Sequence, residues 1–291
     1  SADTEVTIEC NPDDISPQYA ATLPQLGINR VSMGAQTFDD SRLRFLHRRH
    51  TAAQVTEAVG RLRRAGIGNI SVDLMYGFPR QTLADFDRDI DQALALNVEH
   101  LSAYCLMVEE GTPLHHMING GHNGDGSLPG EETEWQMYEL LIDRLTATGY
   151  EHYEISNFAR PGYRSRHNSS YWHDVPYLGL GAAAHSYDGR CRQWNVADIR
   201  QYIEAIEQGR IPCEQELLDD DTRYNDRVAT ALRTSDGLDL TTLSGRHRRY
   251  CLNEAQRYLD NGLLQLTDNH LVLTRRGLFV SDMVMSTLML V

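Results

Sequence analysis

Lysine is absent from this chain of 291 residues, so all 27 of its basic Lys or Arg positions are arginine. Without a lysine amine no lysine Schiff base can form, which excludes covalent catalysis of that kind. Closely spaced cysteines are absent as well. Cys10, Cys105, Cys191, Cys213 and Cys251 stand singly, with no C-x-x-C pair among them. A zinc or iron–sulfur site built from these cysteines alone is not expected, and a scattered, odd set points to reduced thiols in the cytosol. No apolar run reaches the roughly 18 residues that a membrane helix needs. Ser1–Ala2–Asp3–Thr4–Glu5 lacks the positive and apolar regions of a secretory signal, so cytoplasmic residence is the default expectation. Excess positive charge is missing too: the formal net charge of −14 disfavours nonspecific attachment to nucleic acid or anionic lipid.

What is present begins with two stretches that read as buried strands ending on a polar side chain beside a glycine. They are Arg30–Val31–Ser32–Met33–Gly34–Ala35–Gln36 and Ile70–Ser71–Val72–Asp73–Leu74–Met75–Tyr76–Gly77–Phe78–Pro79. In a barrel of parallel strands that end displays ligand-binding groups. A repeat supports such a sheet. Leu26–Gly27–Ile28–Asn29–Arg30–Val31–Ser32 resembles Ala65–Gly66–Ile67–Gly68–Asn69–Ile70–Ser71, and Leu96–Asn97–Val98–Glu99–His100–Leu101–Ser102 is a weaker third copy. In each, a helix ends at a residue that tolerates the left-handed conformation and a strand starts almost at once. Helical patterns at 17–26, 51–65 and 82–96 precede these copies, and Thr82–Leu83–Ala84–Asp85 reads as a capped helix start. With Val6–Thr7–Ile8–Glu9 as a first strand, the spacing predicts parallel βαβ units, too few for a closed barrel of eight strands.

Residues 117–130, rich in Gly, Asn and Asp, predict a loop, followed by a helix over 131–148 carrying Trp135, Tyr138, Leu141, Ile142 and Leu145 at helical spacing. A short strand around Tyr150–Ser156 and a glycine turn at Gly179–Leu180–Gly181 come next. From about 215 the pattern becomes short helices followed by the hairpin-like Leu263–Leu264–Gln265–Leu266 and Leu271–Val272–Leu273–Thr274, a winged-helix arrangement. A boundary is placed at 214/215, near Pro212 and the acidic run Asp219–Asp220–Asp221. The basic run Arg246–His247–Arg248–Arg249 invites a DNA-binding reading, against which the negative net charge weighs.

Taken in order, several motifs resemble a known family. Thr7–Ile8–Glu9–Cys10–Asn11–Pro12, Ser32–Met33–Gly34–Ala35–Gln36–Thr37–Phe38 and Val72–Asp73–Leu74–Met75–Tyr76–Gly77–Phe78–Pro79 look like successive strand ends of a radical S-adenosylmethionine (SAM) protein. The branch resembled holds oxygen-independent coproporphyrinogen III oxidase and the HemW-type heme chaperones. The likeness continues through His167–Asn168–Ser169–Ser170–Tyr171–Trp172, Gly179–Leu180–Gly181–Ala182–Ala183–Ala184–His185 and Leu232–Arg233–Thr234–Ser235–Asp236–Gly237–Leu238. It implies an α/β fold: the later strands of a partial (β/α) TIM-like barrel over residues 1–214, with a HemW-type extension, then a small winged-helix-like domain over 215–291. The family's N-terminal motif of three close cysteines, which binds a 4Fe-4S cluster, and the glycine-rich motif after it have no counterpart here. The expectation is a fragment that starts at the family's third barrel strand and is inactive alone, the cluster belonging to the full-length protein.

The resemblance implies SAM binding by Glu9, Gln36, Arg48 and Asp73, with a backbone contribution near Met107. The chemistry suits them: carboxylate and amide oxygens accept from ribose hydroxyls and an amino group, and a guanidinium pairs with a carboxylate. From the residues alone, Asp73 and Gln36 read equally as caps of following helices, Arg48 as a solvated basic turn and Glu9 as a strand-end charge. The resemblance also implies heme or porphyrin as the partner and membrane respiratory proteins as heme acceptors, with no nucleic acid. His167 and His185 are the candidate heme ligands, since a neutral imidazole binds iron well; the alternative is that His167 and Asn168 tie loops together. Three functions follow: a heme chaperone, a coproporphyrinogen III oxidase, and a DNA-binding regulator of another class.

Overall fold

A computed structural model describes residues 3–112, 114–116 and 128–290. The chain divides into two compact units, Ser1–Ser165 and Arg166–Val291. The sequence-derived boundary at 214/215 falls inside the second unit, within a strand described below.

In the first unit, strands β1 (Thr7–Cys10), β2 (Arg30–Gln36), β3 (Asn69–Tyr76) and β4 (His100–Cys105) run parallel. Strands β5 (Glu151–Glu154) and β6 (Asn157–Ala159) form a hairpin, and β6 pairs antiparallel with β4. The order β1-β2-β3-β4-β6-β5 leaves β1 and β5 as edges of one six-stranded sheet. The helices are α1 (Pro17–Thr22), α2 (Asp40–Phe45), α3 (Ala52–Arg64), α4 (Leu83–Ala95) and α5 (Glu131–Ala147). The expected helices and parallel strands are therefore present, and the loop expected at 117–130 lies outside the described residues over 117–127.

The period-two alternation of the strands sorts the sheet into two chemically different faces. Val31, Met33 and Ala35, Ile70, Val72 and Leu74, and Leu101 and Ala103 are all buried and apolar. They match the apolar stripes Val55, Ala58, Val59 and Leu62 of α3 and Phe86, Ile90 and Ala93 of α4. Each Val, Leu, Ile, Met or Phe side chain among them taken wholly out of water contributes about 1.5–3 kcal/mol. The alternate residues Ser32, Ser71, Asp73, His100 and Ser102 put polar side chains on the other face, which Gly34 leaves open. That face is tied together from below: His100 Nδ1 lies 2.7 Å from Ser71 Oγ and its Nε2 2.8 Å from the Tyr153 hydroxyl. Burial, with the Arg30 charge, lowers the His100 pKa to about 3, so the ring is neutral. Ser102 Oγ donates to Asn157 Oδ1 at 3.0 Å, joining β4 to the hairpin.

The second unit opens with α6 (Arg166–Trp172) and an antiparallel sheet of β7 (His185–Tyr187), β8 (Cys191–Asn195) and β9 (Cys213–Leu217), with α7 (Ile199–Glu207) between the last two strands. Then come α8 (Asp220–Ala231), β10 (Leu238–Asp239), α9 (Gly245–Asp260), β11 (Leu264–Thr267) and β12 (His270–Leu273). Two helices with a β10-β12-β11 sheet give the winged-helix pattern. The chain continues beyond the hairpin into α10 (Arg275–Leu278) and α11 (Ser281–Leu288), which sequence periodicity did not separate. Val284, Met285 and Leu288 of α11 join Tyr224, Val228, Cys251 and Ala255 in one core, and the Tyr224 hydroxyl donates to the Leu288 carbonyl at 2.7 Å. The basic run at the start of α9 is engaged by the acidic one: Arg246 and His247 both bond Asp221, His247 Nε2 at 2.8 Å.

Candidate functional site

Glu9, Gln36, Arg48 and Asp73 line one cavity of about 320 Å³ together with Cys10, Asn11, Asp14, Ser32 and Gly34. The sheet register explains the convergence. Glu9 is paired with Ser32, and Gly34 with Asp73, so groups remote in sequence lie side by side at the carboxyl ends of adjacent strands.

Gln36 reaches the cavity through an irregular backbone. Between Gly34 and Gln36 the β2–β3 register slips, since Gln36 pairs with Leu74 while Gly34 pairs with Asp73. Such a bulge re-aims a side chain. Gln36 has φ of +67°, and the Thr37 N–H donates to the Ala35 carbonyl at 2.9 Å. A γ-turn with positive φ at a non-glycine residue costs on the order of 1–3 kcal/mol, and such strain clusters at ligand sites.

Arg48 arrives by a different device. Helix α2 ends at Phe45 with Leu46 as its cap, His47 takes φ of +54°, and the Arg48 N–H returns to the Leu43 carbonyl at 2.9 Å. That left-handed stop swings the chain back toward the sheet. Arg48 Nη2 donates to Asn11 Oδ1 at 2.7 Å and to the Gly34 carbonyl at 3.0 Å. Gly34 is the floor on which the two side chains meet: a Cβ there would lie 2.6 Å from Gln36 Nε2 and 3.0 Å from Arg48 Nη2.

Asp73 is the electrostatic centre. Burial pushes its carboxyl up to about 6, the Glu9 charge adds to the rise, and hydrogen bonds with Ser102 and Ser32 and the Arg30 charge oppose it. Glu9, Asp14 and Asp73 line the cavity with Arg48, and Asp14 is itself paired with Arg49 at 3.1 Å, so Glu9 and Asp73 favour cationic and hydrogen-bond-donating groups of a ligand and Arg48 favours a carboxylate. Met107 follows the end of β4 by two residues, is 78% exposed and is not among the residues that line the cavity.

The two histidines differ. In the second unit, His167 Nε2 lies 3.0 Å from the Tyr171 hydroxyl, and their rings meet edge to face. His185 lines a cavity of about 500 Å³ with Trp194, Val196, Pro212, Cys213 and Glu214. Its ring lies near that of Trp194, and among the described residues no hydrogen bond engages its nitrogens. Close backbone approach shapes this region: a Cβ on Gly179 would fall 2.0 Å from the His185 carbonyl oxygen, so only glycine fits. The five cysteines do not gather, and no group of three His, Cys, Asp or Glu side chains among the described residues is placed to hold a metal. The described residues therefore do not fit a 4Fe-4S cluster.

Sequence reading missed Cys10, Asn11, Asp14, Ser32 and Gly34 as lining residues. Ser32 and Gly34 were available from the period-two pattern, because they precede Gln36 on its own face of the strand. Asn11 was not, since its role depends on Arg48, which lies 37 positions away.

Comparison with known proteins gives the class, a radical SAM protein. Residues 1–93 match the radical SAM superfamily and residues 218–280 match the HemN C-terminal domain. The heme chaperone HemW of Bacillus subtilis is 41% identical over 72% of this chain and 54% of its own length. HemW of Lactococcus lactis is 33% identical over 91% of this chain and 72% of that protein, and HemW of Mycobacterium tuberculosis 36% identical over 99% and 72%. The chain thus spans about half to three quarters of the length of these relatives. The solved structure of coproporphyrinogen III oxidase (HemN) from Escherichia coli, a radical SAM enzyme, superimposes with a TM-score of 0.80 over 99% of this chain and 70% of that one, at 21% identity. This chain belongs to the HemW family.

Proposed function

We propose that the protein takes part in heme handling as a HemW-type heme chaperone, with the first unit binding SAM and the second unit binding heme. The observation that carries the first half is the meeting of Glu9, Gln36, Arg48 and Asp73 around one acidic cavity. SAM bears a sulfonium, an amino group, ribose hydroxyls and a carboxylate. Ionised Asp73 and the Gln36 amide oxygen accept from the ribose hydroxyls, Glu9 accepts from the amino group, and Arg48 pairs with the carboxylate. In the superfamily SAM supplies an adenosyl radical when bound beside an iron–sulfur cluster. This chain's own residues bind and orient the nucleoside, and no step through a cluster is assigned to them.

For heme, His185 is favoured over His167. Its imidazole is exposed beside an aromatic and apolar wall and has no competing hydrogen bond among the described residues, whereas the His167 ring is already engaged. Membrane respiratory proteins are the proposed recipients. Hemin titration followed by the Soret band tests the assignment. His185→Ala is expected to lose or shift the band given by the parent chain, while His167→Ala keeps it. An unchanged band in His185→Ala removes His185 as ligand, and unchanged bands in both variants remove imidazole ligation altogether.

A further inference from the structure

The strained Gln36 turn does not hold itself. Its Ala35 carbonyl faces the His50 ring as well as the Thr37 N–H, with His50 Nε2 at 3.2 Å. Just beyond the turn, the Thr37 hydroxyl donates to Asp89 Oδ2 at 2.8 Å and the Phe38 N–H donates to Asp89 Oδ1 at 2.8 Å. The Asp39 N–H closes the set on Thr37 Oγ1 at 3.1 Å. Asp89 and His50 are each 3% exposed and Thr37 is fully buried. Neither Asp89 nor His50 lines the cavity.

Asp89 is out of place by the logic of its helix. It sits on the buried face of α4 between Phe86 and Ile90, where an apolar residue would cost nothing. A carboxylate taken out of water is retained only where strong hydrogen bonds compensate it. Here both oxygens are spent on the two donors that follow Gln36, and burial raises its pKa against the pull of those bonds. The helix therefore grips the strand exit at the point where the backbone is under strain.

We infer that Asp89 and His50 are positioning residues: they hold the Gln36 turn closed from behind the sheet and so aim the Gln36 amide into the cavity. The effect on affinity rests on the SAM reading above; the effect on the turn does not. Two measurements separate them. The backbone carbon shifts of Gln36 report the sign of φ, and Asp89→Asn and Thr37→Val are each expected to move them toward ordinary extended values, with Thr37→Ser restoring the parent shifts. In SAM titrations Asp89→Asn and Thr37→Val are expected to bind about tenfold more weakly, the worth of one hydrogen bond to a charged group. The loss should vanish in a Gln36→Ala background, a dependence that general loosening of the core would not show. Unchanged Gln36 shifts in folded Asp89→Asn and Thr37→Val overturn the inference, as does an equal loss of affinity with and without the Gln36 side chain. Should the parent chain bind no SAM, the ligand reading falls while the carbon shifts still decide the clamp. Should Asp89→Asn fail to fold, the near-isosteric Thr37→Val and its Thr37→Ser rescue decide it.

Discussion

Gly34→Ala separates the cavity from the fold that carries it. The added methyl would stand 2.6 Å from Gln36 Nε2 and 3.0 Å from Arg48 Nη2, and the nearest atoms belong to the ends of flexible side chains. Both side chains can swing away, and alanine loses less backbone entropy on folding than glycine, so the change in global stability should stay within about 1 kcal/mol. The cavity does not escape so lightly. Arg48 Nη2 must abandon Asn11 Oδ1 at 2.7 Å or the Gly34 carbonyl at 3.0 Å, and Gln36 must leave its station. Charge-assisted hydrogen bonds contribute about 1.5–3 kcal/mol each, so SAM affinity should drop by about 10–100-fold. Thermal unfolding and calorimetric titration of parent and variant, measured side by side, read the two quantities. A folded Gly34→Ala protein with parental affinity would refute the placement of Gln36 and Arg48 around the ligand.

Asp73 gives a pH dependence. Its folded pKa of about 6 stands above the ordinary 3.8, so the fold favours the protonated acid, and its contribution to stability is present below about pH 4 and lost as pH rises through 6. Binding runs the other way, because ribose hydroxyls need the ionised acceptor: SAM affinity should be about tenfold lower at pH 5 than at its plateau, and Asp73→Asn should flatten both profiles. In the second unit, Gly237 has φ of +73°, and a Cβ there would fall 2.5 Å from the Leu271 carbonyl oxygen. Gly237→Ala should therefore cost at least about 2 kcal/mol in chemical denaturation, with little change if the β10–β12 contact is not structural. Phe86→Ala, which empties a fully buried site on α4, should cost about 3–5 kcal/mol by the same measurement.

The parallel strands and their helices were legible because each obeys a local rule: β-branched runs ending at glycine, and capped helices with an apolar stripe. The hairpin of β5 and β6 was only half legible. Asn157–Phe158–Ala159 is three residues long and becomes a strand by pairing with β4, a partner more than fifty positions away. The final helix was hidden for a similar reason, since Val284, Met285 and Leu288 declare a buried face only once the winged-helix core exists to receive them. For the cavity, motif order placed Glu9, Gln36, Arg48 and Asp73, but not the means by which they meet. The bulge at Gln36, the left-handed stop at His47 and the grip of Asp89 are tertiary devices, each setting local propensity against long-range contact. Asp89 carries no signature in the sequence, and only its burial marks it out.

The central claim is that the acidic cavity at the ends of β1, β2 and β3 receives SAM. Amide chemical shifts of the 291-residue chain, followed during titration with SAM, test it most directly and register even weak binding. Saturable shifts centred on Glu9, Asn11, Gly34, Gln36 and Asp73 are expected. Shifts centred elsewhere, or none at millimolar ligand, would contradict it.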